Sequence, residues 1–312
     1  MAQPLSPAGM LPAVDLRGSP AKRRKELIAR NLLRAAAVTT FAISVAIVLS
    51  LVTDAWDFFS KVDKSLLWSR GWFPRRNIFD IKTLVVGTFM VTGIAMIVAI
   101  PLGLGAAVYL SEYAKPRVRR VLKPILEVIA GVPSVVLGFF AISFINPEIT
   151  TQLFSGARPD FNLFSAGLAV GVLSIPLIAS VAEDALRAVP MSLREASFGL
   201  GGKKLTTTVK IVFPAAISGI VAALIIGISR AVGETMVVAI AAGGAGLFTT
   251  DPLGPGQTMT GAMAALGFGS DQVAGGSLAF PSLYFVGFLL FVMTLVLNLF
   301  GDRFVRRVRE VY

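Results

Sequence analysis

The sequence predicts an all-α integral membrane protein with about six transmembrane helices. Hydrophobic residues make up 55% of its 312 positions and charged residues only 15%, a composition outside the range of soluble domains. Apolar runs long enough to cross a bilayer, about 20 residues, can be drawn at about 35–53, 83–110, 125–145, 161–182, 212–242 and 280–301. The alternating pattern of an outer-membrane barrel is absent, so that class is excluded.

Cysteine and histidine are both absent from the sequence. Their absence excludes disulfides, thiolate chemistry, imidazole catalysis and the usual zinc sites. The nearest match to a nucleotide-binding P-loop, Gly199 to Lys204, has the wrong glycine spacing and no Ser or Thr after Lys203. We therefore expect no metal, no bound cofactor and no enzymatic activity on this chain.

The net charge of the chain is +11, and the distribution of its Lys and Arg residues agrees with the predicted topology. With the N-terminus in the cytoplasm, the inside segments are far richer in Lys and Arg than the outside ones, as the positive-inside rule requires. The inside residues are Arg17, the cluster from Lys22 to Arg34, Lys115, Arg117, Arg119, Arg120, Lys123, Arg187, Arg194, Lys203, Lys204, Lys210, Arg303, Arg306, Arg307 and Arg309. We thus predict a multi-pass protein with cytoplasmic N- and C-termini, whose charge reflects topology rather than nucleic-acid binding.

Three regions are predicted along the chain. Residues 1–34 form a cytoplasmic N-terminal tail, because their first 20 positions are rich in Pro, Ala, Gly and Ser. Residues 35–79 hold the first transmembrane helix and an external segment whose tryptophans suit a membrane interface, with partner docking as the alternative. Residues 80–312 form the core bundle. Within it, the glycine-rich stretch 243–279 is either a gate or a solvated connector and includes a helical piece, Thr258–Leu266.

The most informative feature is the pair Arg230 and Glu234, inside an otherwise apolar stretch from Ile211 to Ala242. Because they are four residues apart, the two side chains are predicted to share one helix face. A charge at the bilayer centre costs about 2.5 to 3.5 kcal/mol, so such residues usually line a polar path. The pair therefore predicts a transport site, and an ion pair that only locks two helices together is the alternative.

A second pathway candidate is Ser134, which follows Pro133 in the predicted third helix. A proline interrupts the hydrogen bonds of a helix and leaves backbone groups that a polar route can satisfy. Close helix packing through small residues is the alternative role for this segment.

A short cytoplasmic helix is predicted between two membrane spans, from Val189 to Gly201. Ser192 and Glu195 form an S-x-x-E capping box at its start, and Gly201 supplies the C-terminal stop. Its apolar positions can press against another surface. Since a rigid helix between two long helices acts as a lever, motion of a partner protein can reach the helix that carries Arg230.

This segment resembles the EAA loop of ABC-importer permeases, whose pattern is E-A-A, three residues, G, nine residues and I-x-L-P. The residues that match it in spacing are Glu195-Ala196-Ser197, Gly201 and Ile211-Val212-Phe213-Pro214, with Ser197 in place of alanine and Phe213 in place of leucine. The resemblance implies a type I ABC-importer permease architecture. It also implies that the coupling loop at 190–214 contacts an ATPase through Glu195, Ala196, Ser197, Gly201, Ile211 and Pro214.

A second motif is more specific for substrate. The segment from Ser229 to Met236 is similar to the R-A-x-G-E-T segment of phosphate ABC-transporter permeases, the PstC/PstA family. Shorter likenesses extend the resemblance over about 80–300, at Ile100–Gly105, Tyr109–Glu112, Gly131–Val136 and Pro255–Met259. Of the two permease subunits in that family, the Gly-Glu-Thr-Met sequence looks more like PstC, and a PstA-like role is the alternative.

The resemblance implies half of a transmembrane pore that imports inorganic phosphate across the bacterial cytoplasmic (inner) membrane. The implied partners are a homologous permease (PstA-like), two copies of an ATPase (PstB-like) that uses ATP and Mg, and an external phosphate-binding protein (PstS-like). Membrane lipid surrounds the complex, and no nucleic acid is expected. The alternatives are a permease for sulfate or molybdate, a membrane sensor or scaffold, and a secondary transporter.

Phosphate chemistry fits the residues of this motif. Arg230 offers a planar fork of donors to phosphate oxygens, and Glu234 can accept the P–O–H proton that sulfate lacks. Thr235 can add a hydroxyl. Alternatively, Glu234 pairs with Arg230 in the resting pore and releases it when the ATPases close.

Overall fold

A computed structural model describes residues 20–69, 71–267 and 278–308, with the side chains of residues 20–23 excepted. Most of the predicted N-terminal tail and positions 268–277 of the glycine-rich stretch therefore lie outside the described residues. The chain divides into two compact units, one ending at Ser50 and the other beginning at Leu51. The two units are described separately.

The first unit is the N-terminal part of α1 (Pro20–Lys61), a single helix of 42 residues. Residues 20–34, predicted as part of the tail, are helical and continue into the predicted first span. At 1.5 Å per residue, α1 is about 60 Å long, about twice the thickness of the hydrocarbon core. Part of this helix must therefore extend beyond the hydrocarbon core of a membrane.

The second unit contains the end of α1 and all remaining elements. A hairpin of β1 (Trp72–Phe73) and β2 (Ile78–Phe79) comes first, with one short 3-10 helix before it and another between its two strands. The helices that follow are α2 (Ile81–Val108), α3 (Pro116–Ala130), α4 (Ser134–Phe140), α5 (Thr151–Leu153), α6 (Leu163–Arg187), α7 (Met191–Gly199), α8 (Lys204–Thr207), α9 (Phe213–Ala215), α10 (Ile217–Val232), α11 (Met236–Ala241), α12 (Met259–Gly267) and α13 (Ala279–Val308). In the described part of the chain, five helices can span a membrane, or six spans if the bent segment from α8 to α10 counts as one. This number confirms the prediction of about six.

Two small-residue contacts hold the centre of the bundle together. The long helices α2 and α6 pack closely along each other. At Gly171, an added Cβ would lie 2.9 Å from the carbonyl oxygen of Ala95. At Gly227, it would lie 2.7 Å from the side chain of Ile178, so α10 also needs a glycine to approach α6. Small residues at these positions allow the close helix approach that is typical of membrane bundles.

An aromatic cluster forms a separate core near the hairpin. Phe58, at the end of α1, contacts Phe79 edge-on with ring centroids 5.1 Å apart. The Phe58 ring also lies 5.2 Å from the ring of Phe285 in α13. Trp72 stacks edge-on against Phe79 at 5.8 Å. These contacts fix the hairpin against two membrane helices.

The third predicted span is shifted along the chain. Helix α3 ends at Ala130, and the span that the structure shows runs from Ser134 to Leu153 rather than from 125 to 145. The break falls at Gly131–Pro133, because Pro133 lacks a backbone N–H and disfavours a helical conformation in the residue before it. Helix α3 is instead amphipathic and has no buried residue. The predicted run from 125 to 145 therefore joined the end of α3 to the beginning of the next span.

The fifth predicted span, 212–242, is wrong as a single helix. The axis bends by 71° between Lys204–Ala215 and Ile217–Val232. The chain leaves helical structure again from Gly233 to Thr235 before α11 begins. Pro214 has no N–H to donate to the turn before it, which weakens the helix beside the bend.

Candidate functional site

The break between α10 and α11 separates the two predicted pathway charges. Arg230 lies in the last turn of α10, whereas Glu234 follows the C-cap residue Gly233 and is not helical. The prediction that both side chains share one helix face is therefore wrong. The physical reason is that Gly233 adopts the cap conformation and its N–H returns to the carbonyl oxygen of Ser229 at 3.2 Å. The last turn of a helix favours a cation such as Arg230.

Arg230 and Glu234 do not form an ion pair in this structure. Among the described residues, the exposed Arg230 guanidinium has neither an ion pair within 4 Å nor a side-chain hydrogen bond. The carboxylate of the half-buried Glu234 accepts a hydrogen bond from the backbone N–H of Val237 at 3.3 Å. The resting pair proposed from the sequence is thus absent from this conformation. The donor fork of Arg230 is consequently available to a ligand.

The remaining pathway candidates lie on the elements around this break. Thr235 precedes α11 and donates its hydroxyl to the carbonyl oxygen of Gly233 at 3.2 Å. Ser134 is the first residue of α4, which packs against α11. At Gly138 of α4, an added Cβ would lie 3.0 Å from the side chain of Ile240. The structure therefore brings the helix that begins at Ser134 into direct contact with α11, the helix that follows Thr235.

A threonine of α12 also contacts the break between α10 and α11, and this contact was not predicted from the sequence. The hydroxyl of the buried Thr260 donates to the backbone carbonyl oxygen of Glu234 at 2.6 Å. The predicted helical piece Thr258–Leu266 is confirmed as α12. Its hydrogen bond from Thr260 holds the non-helical turn in place. A single sequence gives no signal for a contact between residues 26 positions apart.

The short helix α7 is confirmed, but its predicted capping box is wrong. Its N-cap is Pro190, and no side chain caps it, because Ser192 already lies inside the first turn. The glycine stop is present: Gly201 has a φ of +80°, and the N–H of Gly202 bonds the carbonyl oxygen of Ser197 at 2.9 Å. The left-handed conformation of Gly201 is one that glycine adopts without strain.

The residues of the predicted coupling loop divide into an exposed group and an anchored group. Glu195 and Ala196 are exposed on α7, and Pro214 is exposed beyond the following turn. Ser197 is half-buried, and its hydroxyl shares a hydrogen bond with that of Thr207 at 2.8 Å. Ile211 is half-buried. Large apolar side chains are also exposed on this surface, namely Met191, Phe198, Leu200 and Leu205.

Arg194 anchors α7 to the membrane helices, a role that sequence analysis missed. Its guanidinium lies 2.9 Å from the carboxylate of Glu112. It also donates to the backbone carbonyl oxygens of Leu186 at 2.9 Å and Val189 at 2.6 Å. The side chain is buried, whereas the sequence predicted that it is exposed. This arrangement ties α7 to the ends of α2 and α6.

A second anchor surrounds the fully buried Glu183 of α6. Its carboxylate lies 2.8 Å from Arg119, 2.8 Å from Lys123 and 3.8 Å from Arg187. Burial alone would lower the pKa of Lys123, but its hydrogen bonds to Asp184 and Glu183 raise that pKa above the ordinary value. The amphipathic α3 is therefore held to α6 by charge.

A basic cavity of about 650 Å³ lies between these anchors and α7. Five cationic side chains and one carboxylate line it: Arg119, Arg120, Arg187, Arg194, Lys204 and Glu112. Together with the exposed apolar residues of α7, it forms a surface that suits a protein with apolar and acidic side chains.

Comparison with known proteins agrees with this arrangement. Residues 99–310 match the family described as binding-protein-dependent transport system inner membrane component. The chain is 29% identical over 302 residues to the phosphate transport system permease protein PstC of Pasteurella multocida, covering 91% of this chain and 93% of that protein. It is 35% identical over 247 residues to the phosphate transport system permease protein PstA 1 of Mycobacterium tuberculosis, covering 77% and 78%.

Solved structures share the same fold. A chain of a bacterial alginate ABC transporter, in complex with an alginate-bound periplasmic protein, aligns with a TM-score of 0.62 at 14% identity, over 92% of this chain and 98% of that one. A chain of the inward-facing MetNI methionine ABC transporter aligns with a TM-score of 0.54 at 21% identity, over 80% and 100%. Together with the matched family, they confirm the predicted type I importer architecture. The chain belongs to the family of binding-protein-dependent inner-membrane transport components, the permease subunits of ABC importers.

Proposed function

We propose that this chain forms half of the pore of an ATP-driven importer of inorganic phosphate in the bacterial inner membrane. The observation that carries the proposal is the exposed guanidinium of Arg230 at the break between α10 and α11, with no partner among the described residues. Relatives of both kinds named as phosphate permeases, PstC and PstA 1, support phosphate as the substrate.

The residues at the break can recognise phosphate by its charge and by its proton. Arg230 donates two N–H groups to phosphate oxygens in a bidentate geometry. Glu234 retains unused acceptor capacity, because in the described part of the chain its carboxylate accepts only the 3.3 Å hydrogen bond from the N–H of Val237. It can accept the P–O–H proton, which sulfate does not offer, and Thr235 supplies a further hydroxyl.

The coupling surface of α7 is proposed to contact the ATPases. Glu195, Ala196 and Pro214 are exposed there, while Arg194 and Glu183 connect that surface to the membrane helices. The partners that we propose are a PstA-like permease, two PstB-like ATPases that bind ATP and Mg, and a PstS-like external binding protein. In this assembly the present chain hydrolyses no ATP, and its N- and C-termini lie in the cytoplasm.

A PstA-like role is the second candidate for this subunit. It is favoured by one specific observation, the 35% identity to PstA 1 over 247 residues, against 29% to PstC over 302 residues. Co-purification of the tagged chain decides between the roles, since each subunit requires the other as its partner.

The test of the proposed function is uptake of labelled phosphate, with labelled sulfate beside it, in cells that lack this gene and have no other phosphate transporter. We expect phosphate uptake alone to be lost. The intact gene should restore it, and so should Arg158→Gln, which changes an exposed arginine away from the break. Arg230→Gln should not. Unchanged phosphate uptake, or loss of sulfate uptake instead, would overturn the proposal.

A further inference from the structure

We infer that an anionic phospholipid binds in an apolar groove between α10 and α13, with its headgroup at the end of α13. The groove has a volume of about 580 Å³ and is lined by residues of α10 and α13 and by Phe89 of α2. All of these residues belong to the second unit. The site does not depend on which solute the importer carries.

Two contacts fix α10 against α13 beside the groove. At Gly301 of α13, an added Cβ would collide with the side chain of Ile225 of α10, so the two helices approach closely there. About one turn away, the hydroxyl of Ser229 donates to the side-chain oxygen Oδ1 of Asn298 at 2.9 Å. Because position 225 meets 301 and position 229 meets 298, the two helices run antiparallel and present a continuous pair of walls.

The walls of the groove are apolar. Helix α10 contributes four side chains spaced three or four residues apart, which therefore share one helix face: Val221, Ile225, Ile228 and Val232. Among the described lining residues, Thr294 carries the polar side chain, and its hydroxyl donates to the carbonyl oxygens of Leu290 and Phe291 within its own helix, both at 3.0 Å. The lining thus suits a hydrocarbon chain, which needs no hydrogen bonds.

The groove opens toward the bilayer rather than toward the proposed pathway. Phe89, Phe300 and Phe304 line it and are all exposed, so its edge is accessible from outside the second unit. Arg230 comes nine residues after Val221, which is about two and a half turns of α10. The guanidinium therefore lies on the face of α10 opposite to the groove. The surrounding lipid can supply the occupant directly.

The length of the groove matches one leaflet of the membrane. Its lining extends from Val221 to Val232 on α10 and from Met293 to Phe304 on α13. At 1.5 Å per residue, each stretch is about 17 Å long. Half of the hydrocarbon core of a bilayer is about 15 Å thick. An acyl chain of one leaflet can therefore extend along the groove from the headgroup region to the middle of the membrane.

The end of α13 carries positive charge that no acidic side chain of the described residues neutralises. Arg306 is paired with Asp302 at 2.7 Å. Arg303 and Arg307 are exposed, and among the described residues neither has an ion pair within 4 Å. Guanidinium groups bind phosphate oxygens through two parallel hydrogen bonds, and basic residues at the membrane surface attract anionic headgroups.

These two arginines lie at the membrane-surface end of the groove. Arg307 follows the lining residue Phe304 by three positions, and Arg303 follows the lining residue Val296 by seven. Both spacings place a residue on the same helix face as its lining neighbour. A phospholipid with its chain between α10 and α13 therefore has its phosphate beside both guanidinium groups, and the net positive charge favours an anionic headgroup over a zwitterionic one.

The test is lipid binding by the purified complete importer, which is delipidated in detergent and titrated with phosphatidylglycerol or with phosphatidylethanolamine. Native mass spectrometry counts the lipids that each complex retains. We expect the first phosphatidylglycerol to bind about tenfold more tightly than phosphatidylethanolamine. Replacing both Arg303 and Arg307 by Gln should remove this preference. Arg306→Gln is the matched control and should keep it, because Arg306 is already paired with Asp302.

A second pair of variants tests the groove itself. Val296 lines the groove and Leu295 does not, although both side chains belong to α13 and both residues are 43% exposed. Val296→Trp should fill the groove and weaken phosphatidylglycerol binding about tenfold. Leu295→Trp should leave this binding unchanged. Since both positions are exposed, neither change removes packing from the core of the bundle.

Three results would overturn the inference. The first is equal affinity of the parent complex for the two lipids, and the second is unchanged phosphatidylglycerol affinity after both arginine replacements. The third is an equal effect of the two Trp variants on that affinity. If Val296→Trp lowers the yield of the assembled complex and leaves lipid binding unchanged, the groove holds a protein segment and the lipid site is refuted.

Discussion

The coupling end of the bundle and the break between α10 and α11 differ in whether their charged side chains have partners within the protein. At the coupling end, the buried Glu183 contacts three cationic side chains, and the buried Arg194 contacts Glu112 and two backbone carbonyl oxygens. At the break, Arg230 has no partner among the described residues. Charged side chains that have partners within the protein hold its helices in one geometry, whereas a charged side chain without such a partner can bind a ligand. From this difference we propose force transmission for the first region and substrate contact for the second.

The largest effect is expected from breaking the Glu183 anchor. Glu183→Ala leaves Arg119, Lys123 and Arg187 without their shared carboxylate. Removing one partner of a buried ion pair costs about 3–5 kcal/mol, and we expect about 3 here because the cations are partly exposed. Thermal unfolding of the purified complex measures this loss. Asp184→Asn, at the exposed neighbour of Glu183, is the control, and an equal effect of both changes would show that no specific anchor exists.

Removing the Arg194 anchor should uncouple ATP hydrolysis from transport. Arg194→Met keeps the packing volume of the side chain but loses its contacts to Glu112, Leu186 and Val189. We expect phosphate uptake per ATP hydrolysed to fall by about tenfold, because α7 can then move without α2. The measurement compares both rates in proteoliposomes. Arg117→Gln, at an exposed residue of α3 outside that cavity, should change neither rate, and an unchanged ratio in Arg194→Met would refute the lever.

A smaller change should reveal what Glu234 contributes at the break. Glu234→Gln keeps the size of the side chain, but its amide nitrogen can also donate to an oxyanion that carries no proton. The ratio of phosphate to sulfate uptake should fall by about tenfold, while unfolding of the complex stays unchanged. Competition between the two labelled anions provides this ratio. Retained selectivity would remove Glu234 from substrate recognition.

The smallest effect concerns pH at the coupling end. The pKa of Lys123 is raised above its ordinary value of 10.5 by Asp184 and Glu183. A raised pKa in the folded state gives stability that is fully present below 10.5 and is lost only as pH rises through the folded value. The contribution of Lys123, measured as the unfolding-temperature difference from Lys123→Met, should therefore be constant between about pH 6 and 9. A contribution that disappears within that range would contradict the ion cluster.

Much of the fold can be predicted from the sequence, because it depends on apolar runs and on local motifs. The run from 280 to 301 lies within α13, the run from 161 to 182 lies within α6 except for its first two residues, and Gly201 follows the end of α7 as expected. The predicted spans were wrong where a single residue interrupts the helical conformation of the backbone. Pro133 separates α3 from α4, and Gly233 ends α10 before Glu234 can join its helix.

The candidate site could be predicted only in part. The unusual charges Arg230 and Glu234 are visible in an apolar stretch, but their geometry depends on Gly233 and on Thr260. The anchors were missed because Glu183 meets Arg119 across 64 residues and Arg194 meets Glu112 across 82. A basic loop offers no local signal for which of its cations is buried. The functional roles of the coupling and pathway residues stay predictions.

The most direct test of the account is phosphate uptake by proteoliposomes that contain the complete importer with Arg230→Lys. Lysine keeps the positive charge but loses the planar donor fork. The account predicts that ATP-driven uptake falls by about tenfold or more, with the same unfolding temperature as the parent complex, since Arg230 has no structural partner among the described residues. Uptake equal to that of an Arg158→Lys control, or a lowered unfolding temperature that explains the loss, would contradict the assignment of this arginine to substrate contact.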